Sequence, residues 1–284
     1  MAKQIPWEWL YGEADDDDTR RLLDEVRRQR DFVLENNRFV SDDGLFSLRL
    51  GGRRIWLRWC SAFSQIEVYC ELFRHDNHFL ATDFSGRHAA VVIDLGANEG
   101  YYVLKVKEAN PYCRVFALEP NPHSFELLER NLEANGLTDV VLLNRAVAAE
   151  DGRMALPIVK GMPAICGQGL FQVARPWLKA DFVETMPVDA MSLASLWRVS
   201  NLDTVDILKI DVEGMETEVL QGAGDLLPKI HRIVVECHSP FSREAVAVFM
   251  AEKGFDLVLE EDPEHANYYG DLYFVNPEAE RVRA

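Results

Sequence analysis

The pattern of apolar and polar positions changes near residue 88. Before it, apolar residues recur at helical spacing over residues 22–33, and they alternate with polar residues on both sides of Gly51-Gly52. The spacing predicts a helix, and alternation around a glycine pair predicts a β-hairpin with a primed turn. A second short helix is predicted over residues 65–73. We expect the acidic run Asp15–Asp18 to cap the first helix.

From residue 89 onward, short apolar runs alternate with segments of helical periodicity. Such runs are typical of strands buried on both faces, and their alternation with helices predicts a doubly wound, mostly parallel α/β sheet. The predicted strands cover residues 89–93, 114–118, 140–143, 207–210, 230–235, 256–259 and 272–275. We expect two parts, an N-terminal α+β cap over residues 1–88, packed near the strand ends, and a sheet domain over residues 89–284.

Composition and charge exclude several classes of protein. The 284 residues are 48% hydrophobic and carry a formal net charge of −17. The excess of acidic residues argues against a protein whose main function is to bind the nucleic-acid backbone or anionic lipid. The chain shows neither a membrane-spanning apolar run nor a signal-peptide pattern, so we expect a cytoplasmic protein. Its five cysteines are widely spaced and form no CxxC, which predicts neither a disulfide framework nor a zinc knuckle.

The strongest chemical signal is the turn Asp94–Gly100, with sequence DLGANEG, directly after a predicted strand. Glycines allow a tight turn and a close approach of ligand to a helix N-terminus. Tyr101 occupies the third glycine position of a nicotinamide-binding GxGxxG pattern, which counts against an NAD-dependent oxidoreductase without excluding one. The carboxylate of Asp94 suits a ligand with an amino group and a positive centre.

Acidic residues and a histidine follow three other predicted strands. Glu119 ends the second strand of the sheet domain, where an acid can accept hydrogen bonds from ribose hydroxyls. Asp211 and Glu213 follow a later strand, and Glu236 and His238 follow the next one. Because the carboxyl ends of parallel strands share one edge of a sheet, we expect these side chains to converge on one site.

Taken together, these segments resemble the FkbM-type methyltransferases, which belong to the class I S-adenosylmethionine-dependent enzymes. The resemblance covers about residues 89–260 and is carried by Asp94–Gly100, Glu119-Pro-Asn121, Ala146-Val147 with Asp151-Gly152, and Lys209–Gly214. It implies a seven-stranded Rossmann-like sheet with a reversed final strand and an S-adenosylmethionine pocket. It also implies O-methylation of a hydroxyl or carboxylate on a small molecule, a natural product or sugar, with S-adenosylhomocysteine as product.

The resemblance assigns site residues. The residues expected to bind the cofactor are Asp94, Gly96, Ala97, Asn98, Gly100, Glu119, Pro120, Asn121, Ala146 and Asp211. His238 is the candidate base that takes the acceptor proton, while Asp211 and Glu213 shape the site. Two alternatives stay open. One is an O-methyltransferase assisted by a divalent metal near Asp211, Glu236 and His238, for which no metal is assigned. The other is a non-catalytic methyltransferase-like binding protein.

Two further segments have open interpretations. The aromatic residues Trp7, Trp9 and Tyr11 either close the acceptor pocket or simply pack in the cap. The segment Gly161–Gly169 has three glycines, a proline and no charge, which fits either a lid that orders on ligand binding or an ordinary connection.

Overall fold

The computed structural model describes residues 5–36, 42–74, 84, 89–159, 162–166, 183–260 and 270–281. The helices in these ranges are α1 (Trp7–Glu13), α2 (Asp17–Asn36), α3 (Ala62–Phe73), α4 (Tyr101–Ala109), α5 (Pro122–Ala134), α6 (Leu193–Ser200), α7 (Glu216–Ala223), α8 (Pro240–Glu252) and α9 (Pro277–Arg281). The strands are β1 (Leu45–Leu50), β2 (Arg53–Arg58), β3 (Val91–Leu95), β4 (Arg114–Leu118), β5 (Val141–Leu143), β6 (Ala146–Ala148), β7 (Gly152–Val159), β8 (Met162–Cys166), β9 (Val183–Ser192), β10 (Val205–Ile210), β11 (Ile230–Glu236), β12 (Asp256–Glu260) and β13 (Asp271–Val275).

A seven-stranded sheet forms the centre of the fold, in the order β12-β13-β11-β10-β3-β4-β5. The pairs from β11 to β5 are parallel, whereas β13 runs antiparallel to both β11 and β12. This topology confirms the predicted doubly wound α/β sheet and the reversed final strand. The chain passes from β3 outward in both directions, which leaves a crevice at the carboxyl ends of β3 and β10, where open α/β sheets bind ligands.

Two hydrophobic cores cover the two faces of this sheet. All six residues of β10 are buried, as expected for a central strand with helices on both sides. On β3, Val92 belongs to the core shared with α4, α5 and the N-terminal elements, while Ile93 and Leu95 belong to the core formed with α6, α7 and α8. The alternation along β3 therefore sends its charged residue, Asp94, toward the α4 side of the sheet.

A smaller sheet of four strands, in the order β6-β9-β7-β8, follows β5 along the chain, and the sequence analysis did not predict it. Its strand β7 contains Pro157 and has no regular alternation of apolar and polar residues, so the usual strand signals are weak there. Residues 162–166 of the predicted lid form β8, which pairs with β7. The rest of Gly161–Gly169 lies outside the described residues, and the lid stays a prediction.

The N-terminal elements α1 to α3 and the β1–β2 hairpin pack along α4 and α5. Their apolar side chains share one core cluster with both helices. Near one end of α4, Arg53 binds the Glu108 carboxylate with Nη2–Oε2 at 2.7 Å, and the Lys105 ammonium donates to the Leu72 carbonyl at 2.8 Å. At the other end of α4, the Tyr101 ring packs edge-on against that of Tyr69 with centroids 5.7 Å apart, so the contacts follow the length of the helix. The boundary at residue 88 stays a prediction, because residues 85–88 lie outside the described residues.

Local interactions in this segment agree with the sequence pattern in part. Asp16 accepts a hydrogen bond from the Thr19 N–H at 2.7 Å, which confirms the predicted acidic cap of α2. Tyr11 binds Asp24, and the Trp9 ring lies 6.2 Å from that of Tyr69. These aromatic residues pack within the N-terminal elements. None of the helices in the described ranges is both long and apolar enough to cross a membrane.

Asn131 on α5 joins the hairpin to the turn after β3. Its Oδ1 accepts from the Trp56 N–H at 2.6 Å and its Nδ2 donates to the Glu99 carbonyl at 2.8 Å. Asn131 is fully buried, whereas Asn135 makes similar bonds to the backbone of Arg54 at a half-buried position. Water can replace the partner of a half-buried group, but it cannot reach a fully buried one.

We therefore expect Asn131→Ala to lower the free energy of unfolding by about 2–4 kcal/mol, because it leaves the buried Glu99 carbonyl and the partly buried Trp56 N–H without partners. The matched variant Asn135→Ala should cost about 1 kcal/mol. Urea denaturation followed by circular dichroism measures both values. Equal costs for the two variants would mean that the N-terminal elements do not depend on the buried contact.

Candidate active site

The turn after β3 passes against the end of β10 so closely that only glycine fits. Gly96 has φ +80°, and a Cβ placed on it would lie 1.7 Å from the Asp211 carbonyl oxygen. The Asp211 N–H in turn donates to the Leu95 carbonyl at 3.0 Å. The sequence predicted a tight turn here but not its partner. The contact places the Gly-rich turn and the acidic turn after β10 side by side.

Glu119 binds the backbone of the same turn from the side of β4. Its two carboxylate oxygens accept the backbone N–H groups of Asn98 and Asn121, each at 2.8 Å. Burial raises the pKa of the Glu119 carboxyl to about 8, although the hydrogen bonds from Asn121 and Asn98 act in the opposite direction. Asn98 has φ +48°, a conformation that asparagine tolerates better than most residues. Glu119 therefore orders both flanking turns.

A cavity opens between these turns and the four-stranded sheet. Five of the ten residues predicted to bind cofactor line it, namely Gly96, Glu119, Pro120, Ala146 and Asp211. The remaining lining residues are Leu118, Arg145, Val147, Met154, Leu156, Val212, Glu213 and Met215. Ala97, Asn98, Gly100, Asn121 and Asp94 are not among the lining residues. Two of the lining residues, Met154 and Leu156, lie on β7 and were not predicted from the sequence as site residues.

A buried ion-pair network lies at the sheet end of the cavity. The Lys209 ammonium on β10 lies 3.1 Å from Asp211 Oδ2 and 3.6 Å from Asp94 Oδ1. Burial alone would lower the pKa of Lys209, but Asp211 and Asp94 hold it above its ordinary value. The ammonium therefore stays charged. The structure gives Asp94 a cationic neighbour within the protein, which the sequence analysis did not foresee.

His238 lies among carboxylates at the end of β11. Its Nδ1–H donates to Glu216 Oε1 at 2.8 Å, and Glu216 also accepts from the Gly214 N–H and the Ser242 hydroxyl, both at 2.7 Å. Although burial favours the protonated form of Glu216, the bonds from His238 and Ser242 hold its pKa below the ordinary value. Glu216 thus fixes the plane and the tautomer of the imidazole. The sequence did not predict that Glu216 supports His238.

The other imidazole nitrogen faces the acidic turn. His238 Nε2 lies 3.6 Å from Asp211 Oδ1, 3.6 Å from Glu213 Oε2 and 3.9 Å from Glu236 Oε1. Burial disfavours the charged imidazole, but Glu213, Glu216 and the other carboxylates raise the pKa of His238 well above its ordinary value. The structure thus brings together His238, Asp211 and Glu213, the three residues assigned to catalysis. Asp211 and Glu213 line the cavity, while His238 is 2% exposed and lies behind them.

Comparison with known proteins identifies the family. Residues 94–257, more than half of the chain, match the family model described as "Methyltransferase FkbM domain". The chain belongs to the FkbM methyltransferase family. It is an S-adenosylmethionine-dependent methyltransferase, and the resemblance found in the sequence is confirmed. The match decides against the nicotinamide-dependent alternative.

Three relatives illustrate the range of the FkbM family. Methyltransferase 1 of Beauveria bassiana is 30% identical over 60% of this chain and 73% of its own length. The 31-O-demethyl-FK506 methyltransferase FkbM of Streptomyces tacrolimicus is 27% identical over 69% of this chain and 84% of its own. The hexuronic acid methyltransferase AglP of Haloferax volcanii is 26% identical over 57% of this chain and 62% of its own.

Glu99, in the Gly-rich turn, is buried against the N-terminal elements. Its Oε1 accepts from Gln65 Nε2 at 3.2 Å, and its Oε2 has no hydrogen-bond partner among the described residues. Burial raises the pKa of the Glu99 carboxyl to about 7 from its ordinary value of 4.5. Between these two values the folded protein holds a proton that the unfolded chain has released. Stability therefore falls as the pH rises through this window.

We expect Glu99→Gln to remove this pH dependence, because the amide cannot ionise. Relative to the parent protein, the variant should be nearly neutral at pH 5 and more stable by about 1–3 kcal/mol at pH 8. Chemical denaturation at both pH values measures the difference, with the exposed Glu133→Gln as control. A difference between Glu99→Gln and parent that does not grow with pH would show that Glu99 ionises freely in the folded protein.

Proposed function

We propose that this methyltransferase transfers the methyl group of S-adenosylmethionine to a hydroxyl oxygen of a small molecule, a natural product or a sugar. One observation carries the proposal: the cavity between the Gly-rich turn and β7 ends at Asp211 and Glu213, with His238 directly behind them. A cofactor pocket and a group of proton-accepting side chains thus meet at one wall. The hydroxyl oxygen would meet the methyl group there.

The cavity has the chemistry that S-adenosylmethionine needs. Gly96 has no side chain, so its turn lies directly against Asp211 and both residues border the cavity. Glu119 offers carboxylate oxygens to ribose hydroxyls, Leu118 and Val147 offer apolar surface to adenine, and Asp211 offers negative charge to the cationic end of the cofactor. When bound, the cofactor supplies an electrophilic methyl group on a positively charged sulfur. Asp94 would act indirectly, through Lys209.

The charges near Asp211 favour a neutral hydroxyl over a carboxylate as acceptor. Asp211 and Glu213 line the cavity, whereas the cationic groups beside them, Lys209 and His238, are buried behind the wall. An acceptor carboxylate would add another negative charge to this group and be repelled. The names of two relatives mention a 31-O-demethyl compound and a hexuronic acid. A hexuronic acid carries both hydroxyl groups and a carboxylate, and the charge argument favours the hydroxyl groups.

A neutral hydroxyl must lose its proton as its oxygen bonds to the methyl carbon. Asp211 and Glu213 line the cavity and would contact the hydroxyl. His238 in its neutral form, which its raised pKa confines to alkaline pH, would receive the proton from them at Nε2, 3.6 Å away. Glu216 would stabilise the imidazolium through the Nδ1–H bond. Holding the hydroxyl oxygen in line with the methyl group supplies much of the rate, on the order of 7–11 kcal/mol in favourable cases.

The cofactor assignment predicts the effect of Glu119→Ala. Loss of the Glu119 carboxyl leaves its buried and partly buried hydrogen-bond partners unsatisfied, at a cost of about 1–3 kcal/mol, so the variant should bind S-adenosylmethionine about tenfold more weakly or worse. Isothermal titration calorimetry measures the affinity, and Glu133→Ala on the exposed side of α5 is the control. An affinity in Glu119→Ala equal to that of the parent protein would refute the assignment of the cofactor to this cavity.

The acceptor assignment is tested with S-adenosylmethionine carrying a trideuterated methyl group. The protein is offered polyhydroxylated aromatic compounds and sugars, together with the matching carboxylic acids, and products are identified by mass spectrometry and NMR. We expect O-linked methyl ethers and no methyl esters. His238→Ala should lower turnover by about 10²–10⁴-fold and leave cofactor affinity nearly unchanged. Methyl esters, or full turnover in His238→Ala, would contradict the proposal.

A further inference from the structure

The side chains of Asp211, Glu213 and His238 have the arrangement of a metal centre. One ligand atom from each, two carboxylate oxygens and an imidazole nitrogen, lie within 4.8 Å of one another. The Nε2 atom is 3.6 Å from the nearest oxygen of either carboxylate. Ligands at about 2.0–2.2 Å from one cation stand about 3 Å apart when adjacent and about 4 Å apart when opposite. The two distances from Nε2 to the carboxylate oxygens fall within this range.

The orientation of the imidazole is a second and independent observation. His238 is 2% exposed, and its Nδ1–H is bound by a carboxylate, Glu216, that is itself held by Gly214 and Ser242. This partner holds Nδ1 and turns Nε2, the nitrogen that would bind a cation, toward Asp211 and Glu213. Metal-binding histidines commonly have a carboxylate on the nitrogen opposite the metal, for the same reason.

The surrounding charge points in the same direction. Asp211, Glu213, Glu216 and Glu236 all have an oxygen within 3.9 Å of an imidazole nitrogen. Lys209 is a cationic contact of this group, but it is shared with Asp94. A divalent cation would offset the excess negative charge at a position where Asp211 and Glu213 also border the cavity.

We propose that Asp211, Glu213 and His238 bind a divalent cation that accepts mixed oxygen and nitrogen ligands, with Mn²⁺ as its probe. The role of the cation rests on the proposed function: a cation in this place would lower the pKa of the acceptor hydroxyl. Nε2 would then hold the ion instead of the proton. The binding itself can be measured without cofactor or acceptor, so its test is separate from that of methyl transfer.

The test uses the full-length protein without an affinity tag, freed of metal by dialysis against a chelator. Mn²⁺ is titrated in, and the signal of free Mn²⁺ is followed by electron paramagnetic resonance. We expect one saturable Mn²⁺ per chain. Glu213→Gln, which keeps the shape of the side chain, should weaken binding at least tenfold. Glu218→Gln, an exposed position on α7, should leave it unchanged.

Calorimetry with S-adenosylmethionine checks that Glu213→Gln retains a folded pocket, and His238→Ala provides a second variant that should lose at least tenfold in Mn²⁺ affinity. The inference is overturned if Mn²⁺ does not saturate one site, or if Glu213→Gln binds it as tightly as the parent protein. Ether formation that persists in the chelator, together with the lack of a saturable Mn²⁺ site, would leave the proposed function standing and overturn the cation. Saturable Mn²⁺ binding without ether formation would support the cation and contradict the proposed function.

Discussion

The close approach of Gly96 to the Asp211 carbonyl is the constraint on which the rest of the site depends. A Cβ at Gly96 would lie 1.7 Å from that oxygen, so the turn after β3 and the turn after β10 can lie side by side only because one of them has no side chain there. The contact stands at the crevice where the order of the parallel strands reverses. Everything that lines the cavity on this side, from Glu119 to Glu213, takes its place relative to these two turns.

Buried charge organises the second half of the site. The Lys209 ammonium holds Asp94 beneath the turn and Asp211 at the cavity wall, and Glu216 holds His238 in one orientation. Each of these groups is expensive to bury alone, and each is compensated by a partner on a neighbouring strand or helix. The arrangement concentrates negative charge at Asp211 and Glu213, beside the position where a methyl donor with a cationic sulfur would bind.

The N-terminal elements contribute to the site from outside the sheet. Gln65 of α3 binds Glu99 within the Gly-rich turn, and Asn131 of α5 links that turn to the hairpin. The turn is therefore held on three sides: by Asp211 after β10, by Glu119 after β4, and by the N-terminal elements. Because these contacts are buried, a change in the packing of α3 is transmitted directly to the backbone of the turn.

Local patterns in the sequence determined the order and kind of the main elements, the Gly-rich turn, the edge on which Glu119, Asp211 and His238 gather, and the FkbM resemblance. Apolar runs, helix caps and glycines act within a few residues, so the sequence alone reveals them. The four-stranded sheet, the Gly96–Asp211 contact, the Lys209 ion pairs and the Glu216 support of His238 join residues far apart in sequence. Only the tertiary structure decided them, because burial and partner choice depend on which elements meet across the fold.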